Sequence, residues 1–155
     1  MRIEPFRPEH SSACLEIFES NTPRFFGREE LQEFQSFLRQ PNAEFLVVTI
    51  DGIIRACGGY YRNGNEGWLC WGMVHGDFHG KRVGKALLLE RLRRLFADQK
   101  IGTVSIHTSQ LARPFFEHFG FCCVGAPISN GFAEGIDSLT MRISREEFNN
   151  RWSPL

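Results

Sequence analysis

The chain has 155 residues, 42% of them hydrophobic, with 18 Lys and Arg against 18 Asp and Glu. That length and apolar content support one globular domain over 1–155, which at this size buries roughly 70% of the surface its unfolded form exposes. Balanced charge gives no global attraction to nucleic acid or to an anionic membrane, no apolar run approaches the roughly 20 residues that span a bilayer, and the start MRIEPFRPEH is charged where a signal peptide needs an apolar stretch, which together point to a cytoplasmic location.

IEPF (3–6) reads as a short edge strand, and Pro8 starts a helix that turns Cys14, Leu15 and Phe18 inward. After NTPRFFGREE, the residues Leu31, Phe34, Phe37 and Leu38 repeat at helical spacing, predicting a second helix that ends before Pro41. The period then changes. FLVVTI (45–50), Asp51-Gly52 and IIRACGGYY (53–61) read as strand, tight turn and strand, because Asp-Gly tolerates the positive backbone angles of a two-residue hairpin. Asn63-Gly64-Asn65 turns the chain again into GWLCWGMV (67–74), completing an antiparallel meander.

Beyond residue 80, Leu88, Leu92, Leu95 and Phe96 share one face of a helix, and Glu90, Arg91, Arg93 and Arg94 are assigned to its solvated outer face. Lys100-Ile101-Gly102 breaks it, TVSIHT (103–108) forms a strand, and ARPFFEHF (112–119) forms a short helix closed by Gly120. A helix joins strands 67–74 and 103–108, so they are expected to be parallel neighbours with a right-handed crossover. The tail adds strands FCCV (121–124) and SLTMRI (138–143) and a last turn capped by Ser144, with Glu147 three residues on. The five cysteines are odd in number, form no CxxC and read as reduced core thiols, so no metal site is expected.

The functional signal is HGDFHGKRVGKALLLERLRRLF (75–96). A glycine-bearing loop that runs from a strand into a helix exposes backbone N–H groups at the positive end of the helix dipole, where phosphate binds, and Lys81, Arg82 and Lys85 add charge. A Walker A loop ending at Gly84-Lys85 would need glycine at His79 and Ser or Thr at Ala86. A dinucleotide fingerprint starting at Gly80 would need glycine at Arg82. Neither fits, which leaves pyrophosphate binding by a third geometry.

VHGDFHGKRVGKALL (74–88) resembles motif A of the GNAT N-acetyltransferases, roughly V-x-P-x-Y-R-G-x-G-x-G-x-x-L-L. Val74, Gly80, Gly84 and Leu87 match, Phe78 takes the aromatic position, and His79 and Arg82 depart from the core pattern Q/R-x-x-G-x-G/A. SQLARPFFEHFGF (109–121) resembles the family's N-x-x-A-x-x-x-Y-E-K-x-G-F: Ala112, Glu117, Gly120 and Phe121 match, Ser109 replaces Asn and Phe116 replaces Tyr. The element order over 1–143 is also similar to the family's.

The resemblance implies an α/β (α+β) fold: a central mixed sheet of about six to seven strands, a splayed parallel pair, and helices on both faces. It implies acetyl-CoA as cosubstrate, without metal, and direct attack by a primary amine in a ternary complex. Met73 and Val74 would meet pantetheine, an N–H near Met73 would polarise the thioester carbonyl, and residues 79–85 (His79, Gly80, Lys81, Arg82, Val83, Gly84, Lys85) would hold the pyrophosphate, with Ser109 and Phe116 on the other wall. Arg82 is tolerable in place of glycine provided its backbone angles suit a side chain. Phe116 has no proton for the departing thiolate, which leaves Ser109, Tyr60, Tyr61 or water for that role. Glu66 is the first candidate base, with His75 and His107 as rivals. The acceptor, a small amine or a protein amino group, should meet the N-terminal helices and their connecting loop, where Phe25, Phe26, Glu29 and Glu30 lie, with help from the glycine-rich and flexible segment Gly125–Gly135. Homodimerisation through strand or helix edges is compatible with the fold. The alternative reading is a catalytically degenerate module that binds and senses acetyl-CoA, favoured by His79, Arg82 and Phe116.

Overall fold

The computed structural model describes residues 1–22 and 24–152. Alternating apolar residues build the meander β1 (Arg2–Pro5), β2 (Glu44–Ile50), β3 (Ile53–Asn63) and β4 (Glu66–Val74), antiparallel throughout. Asp51 (φ 52°) and Gly52 (φ 80°) both take the left-handed angles that the β2–β3 turn demands. β4 pairs in parallel with β5 (Thr103–Thr108), and β8 (Ile136–Ser144) lies antiparallel to β5 and carries both β6 (Cys122–Cys123) and β7 (Ile128–Ala133). The sheet thus has eight strands rather than six or seven. The extra one is β7, inside the segment expected to be flexible. Its sequence ISNGFA carries Asn-Gly in its middle and is mostly exposed, so it has no apolar alternation to announce it.

One face of the sheet is covered by α1 (Ser11–Ser20) and α2 (Glu30–Arg39), whose Cys14, Ile17, Phe18, Phe34, Phe37 and Leu38 pack on Phe45, Val47, Cys57 and Met73. A single 3₁₀ turn, Pro8–His10, precedes α1, so the helix begins three residues after the proline. The other face carries α3 (Val83–Phe96), α4 (Arg113–His118) and α5 (Arg145–Trp152), the last capped as expected by Ser144 Oγ, which accepts from Glu147 N at 3.1 Å. Leu88, Leu92 and Leu95 of α3 are fully buried, each worth about 1.5–3 kcal/mol over exposure. Cys14 and Cys57 are buried thiols, but Cys122 and Cys123 are exposed on the edge strand β6, contrary to the expectation that the cysteines belong to the core. No helix among the described residues is long and apolar enough to cross a membrane.

Arg91 also departs from its assignment. It is 3% exposed, not on the outer face of α3, and its guanidinium lies against the sheet. Gly58 of β3 and Gly72 of β4 make room for it, since a Cβ at Gly58 would stand 3.0 Å from its Cζ and one at Gly72 2.9 Å from its Nη2. Helical periodicity marks which residues can share a face but not how far the covered face extends. Here the absence of side chains on the strands below widens it by one long residue.

Candidate active site

The parallel ladder between β4 and β5 is short: Glu66 to Leu69 pair with Thr103 to Ile106, after which β4 runs on to Val74 and β5 to Thr108 without pairing each other. A cause of this parting is visible in β4. Between the pairs Cys57–Met73 and Gly59–Cys70, β3 advances two residues and β4 three, so Trp71 and Gly72 form a bulge that bends the strand. Trp71 holds φ 48°, an unfavourable angle for a bulky residue, and is kept there by aromatic packing on Phe26, Phe34 and Phe37. Sequence reading missed Trp71, because a bulge leaves no mark on apolar alternation.

The chain leaves β4 through His75 and a 3₁₀ turn, Gly76–Phe78, and enters α3 at Val83. The first intrahelical bond runs from Ala86 N–H to the Arg82 carbonyl, so the amides of Val83, Gly84 and Lys85 have no partner within the helix. They sit at the positive end of its dipole, with Lys81 and Arg82 exposed beside them. Lys85 is half-buried and lies 5.4 Å from the Trp152 ring centroid, and Lys81 lies 4.9 Å from that of Phe78. Gly84 faces Phe115, whose Cε1 would be 3.3 Å from a Cβ added there. Gly80 (φ 75°) needs its freedom for the turn.

Arg82 does not meet the condition set for it. It adopts φ 64° and ψ 10°, the left-handed region that a glycine would occupy without strain. Relief of that strain outweighs the extra chain entropy of glycine, so Arg82→Gly is expected to stabilise the fold by about 1 kcal/mol and raise the thermal midpoint by about 2–4 °C. A lowered midpoint in calorimetry would show the side chain to be worth more than the strain. His79 turns back onto the protein. Its Nε2–H donates to the Val74 carbonyl (2.8 Å), and its ring meets Phe25 edge-on at 5.5 Å. Buried Asn21 donates to the same carbonyl (2.9 Å), and Ser20 Oγ accepts from Gly76 N (3.0 Å), so the end of α1 is stitched to the end of β4. Nothing in the apolar periodicity pointed to Asn21.

The other candidates are dispersed. Ser109 is buried just after β5, and Phe116 is buried in the core on the α3 side. Tyr60 is 4% exposed in that same core. Glu66 sits at the far end of β4, roughly 20 Å along the strand from Gly72, paired with Arg142 (3.2 Å) and accepting from Thr103 Oγ1 (3.4 Å). His75 caps the 3₁₀ turn by accepting from Asp77 N (3.1 Å). His107 is exposed on the face opposite α3, its ring 4.7 Å from Trp68 and its Nδ1 3.1 Å from Thr140 Oγ1. Burial pushes the Glu30 carboxyl up, while its bond from Gly27 N (3.0 Å) opposes that. Among the described residues no group of three or more His, Cys, Asp or Glu is placed to hold a metal.

Three comparisons bear on this geometry. No curated protein matches the chain in sequence. Solved structures do match in fold: a GNAT-family protein from Desulfovibrio desulfuricans (20% identity, 92% of this chain and 98% of that one, TM-score 0.78), the ribosomal-protein-S18-alanine N-acetyltransferase of Escherichia coli (17%, 92% and 92%, 0.75), and an aminoglycoside 6'-N-acetyltransferase complexed with coenzyme A (14%, 93% and 97%, 0.72). A sequence model of the acetyltransferase (GNAT) domain matches residues 15–145. With that match spanning most of the chain, and with the parted strands and free helix N-terminus in place, the protein belongs to the GNAT family of acetyltransferases.

Proposed function

We propose that this protein transfers an acetyl group from acetyl-CoA to a primary amine, the amine attacking the thioester directly while both substrates are bound. The observation that carries this reading is the parting of β4 from β5 after Leu69 and Ile106, which opens towards the unpartnered amides at the start of α3. These residues suit the cosubstrate. Met73 and Val74 offer the open stretch of β4 to pantetheine, the loop from Gly80 to Lys85 offers amides and cations to the diphosphate, and Ser109, just after β5, is proposed for the opposite wall, while Phe116 is packed in the core on the α3 side. The thioester supplies an acyl carbon that a neutral amine can attack.

For the proton of that amine, His107 is the best placed of the groups considered. It follows Ile106 directly, lies on the side away from α3 and is oriented by Thr140. Ser109, two residues further on, is proposed to hydrogen-bond the leaving sulfur. Glu66 is engaged by Arg142 far from the parting, and Tyr60 lies in the core under α3. On the acceptor side an open groove of about 640 Å³ runs between α2 and β4, lined by Glu33, Phe37 and Trp71. A carboxylate beside an indole suits a cationic amine.

Saturating coenzyme A is expected to raise the thermal midpoint by about 5 °C or more. Acetyl-CoA with a panel of amines, followed with a thiol reagent, should then release free thiol. Binding without turnover across a broad panel would favour the sensing module, which the hydroxyl-free Phe116 supports. Absence of any shift would overturn both readings.

A further inference from the structure

Arg91 carries a charge that the fold does not use. Its guanidinium is buried, its Nη1 donates one bond, to the Gly59 carbonyl at 3.2 Å, and its Nε is buried without a partner. No carboxylate forms an ion pair with it among the described residues. The ionisable groups that act on it are the thiols of Cys57 on β3 and Cys70 on β4, both on the opposite face of the sheet, and burial keeps both protonated, Cys70 being pushed up to about 11. Burial lowers Arg91 itself only to about 10, so it remains a cation at neutral pH. An apolar residue would fill this space without the cost of desolvating a charge.

The position of the charge is informative. Nη2 lies directly under Gly72, the residue of the bulge that is exposed and has no side chain to stand between guanidinium and cleft. Gly72 lies beyond Leu69, on the stretch of β4 that no longer pairs with β5. A cation there faces the place where negative charge must appear during acyl transfer. As the amine nitrogen bonds to the thioester carbon, the carbonyl oxygen gains charge. As the C–S bond then breaks, its electron pair goes to sulfur, while the amine proton passes to the base.

We propose that Arg91 stabilises this negative charge across Gly72, acting on the carbonyl oxygen and on the departing thiolate, in a site where Phe116 offers no proton. The inference rests on the acetyl-CoA reading given above. It makes the protein a thiolate-stabilising enzyme: it favours the ionised leaving group, to which Ser109 donates a hydrogen bond without giving up its proton.

The test needs no acceptor. The thiol of enzyme-bound coenzyme A is titrated by thiolate absorbance, with the complex of desulfo-coenzyme A as the blank so that the protein's own thiols cancel. The expected result is a bound thiol at least about one pH unit more acidic than that of free coenzyme A. Arg91→Met should bind the cofactor yet return the thiol to the free value or above, and Arg91→Lys should restore part of the shift. Equal titration in wild type and Arg91→Met overturns the inference while leaving the acetyl-CoA reading intact; failure of wild type to bind coenzyme A overturns both. Should Arg91→Met fail to fold, wild type and Arg91→Lys still decide it, since a wild-type thiol no more acidic than the free one refutes the proposal.

Discussion

Gly84→Asp is expected to weaken coenzyme A binding at least 100-fold while leaving the protein folded. Residue 84 lies in the first turn of α3, between two other amides that have no intrahelical partner. A carboxylate there would take up those amides itself and place negative charge where the diphosphate must sit, an exchange worth about 3 kcal/mol or more. The β-carbon adds a steric element, since it would stand 3.3 Å from Phe115 Cε1, 3.4 Å from Cζ and 3.6 Å from Val74 Cγ2. Phe115 is more than a third exposed and can yield, so the fold is not at risk, and an acidic residue in the first turn favours the helix itself. Calorimetric titration of the variant, beside circular dichroism of its fold, checks this. Gly84→Ala, which adds only the steric part, should lose tenfold or less. Binding of Gly84→Asp within tenfold of wild type would move the diphosphate to another place on the surface.

The second large effect concerns stability. Arg145, the first residue of α5, sends its guanidinium to the carbonyls of Phe96 (3.0 Å), Asp98 (2.8 Å) and Ile101 (2.6 and 3.1 Å), and its own amide donates to Gly102 O at 2.9 Å. The Phe96 carbonyl is one that the end of α3 leaves without an intrahelical partner, whereas the Asp98 carbonyl also accepts from Ile101 N–H at 3.1 Å. The guanidinium also lies 5.2 Å from the Phe96 ring centroid. Arg145→Ala strips several charge-assisted bonds from one partly buried corner, so a loss of about 3 kcal/mol and a fall of about 6–12 °C in thermal midpoint are expected. Lysine at 145 should recover little of this, because a single ammonium cannot fork to carbonyls on three residues. A loss below about 1 kcal/mol in urea unfolding would mean that water replaces the guanidinium without difficulty.

The meander, the parallel crossover and the loop into α3 were legible because each is written in local chemistry. Asp51-Gly52 and Asn63-Gly64 make turns, FLVVTI is a buried strand, and the glycines at 80 and 84 bracket a helix entrance. The site residues that sequence missed are set by tertiary relations. Trp71 matters because β4 gains a residue relative to β3, and Asn21 matters because the end of α1 lands beside the end of β4. Arg91 reads as one more surface arginine until Gly58 and Gly72, separated from it in sequence, come to lie beneath it. His79 and Arg82, the two departures from motif A, divide. Histidine found an internal partner in Val74, whereas arginine kept the backbone angle of the residue it replaced.

The exposed pair on β6 has a practical corollary. Cys122 and Cys123 are open to solvent, whereas Cys14 and Cys57 are sealed. A chromogenic disulfide will therefore first consume two equivalents from this exposed pair, with half-buried Cys70 reacting more slowly, and slow chemistry will hide beneath that initial burst. Turnover has to be taken from the linear phase that follows, or from a Cys122→Ser/Cys123→Ser background, in which the early absorbance jump should vanish and the later slope should not change.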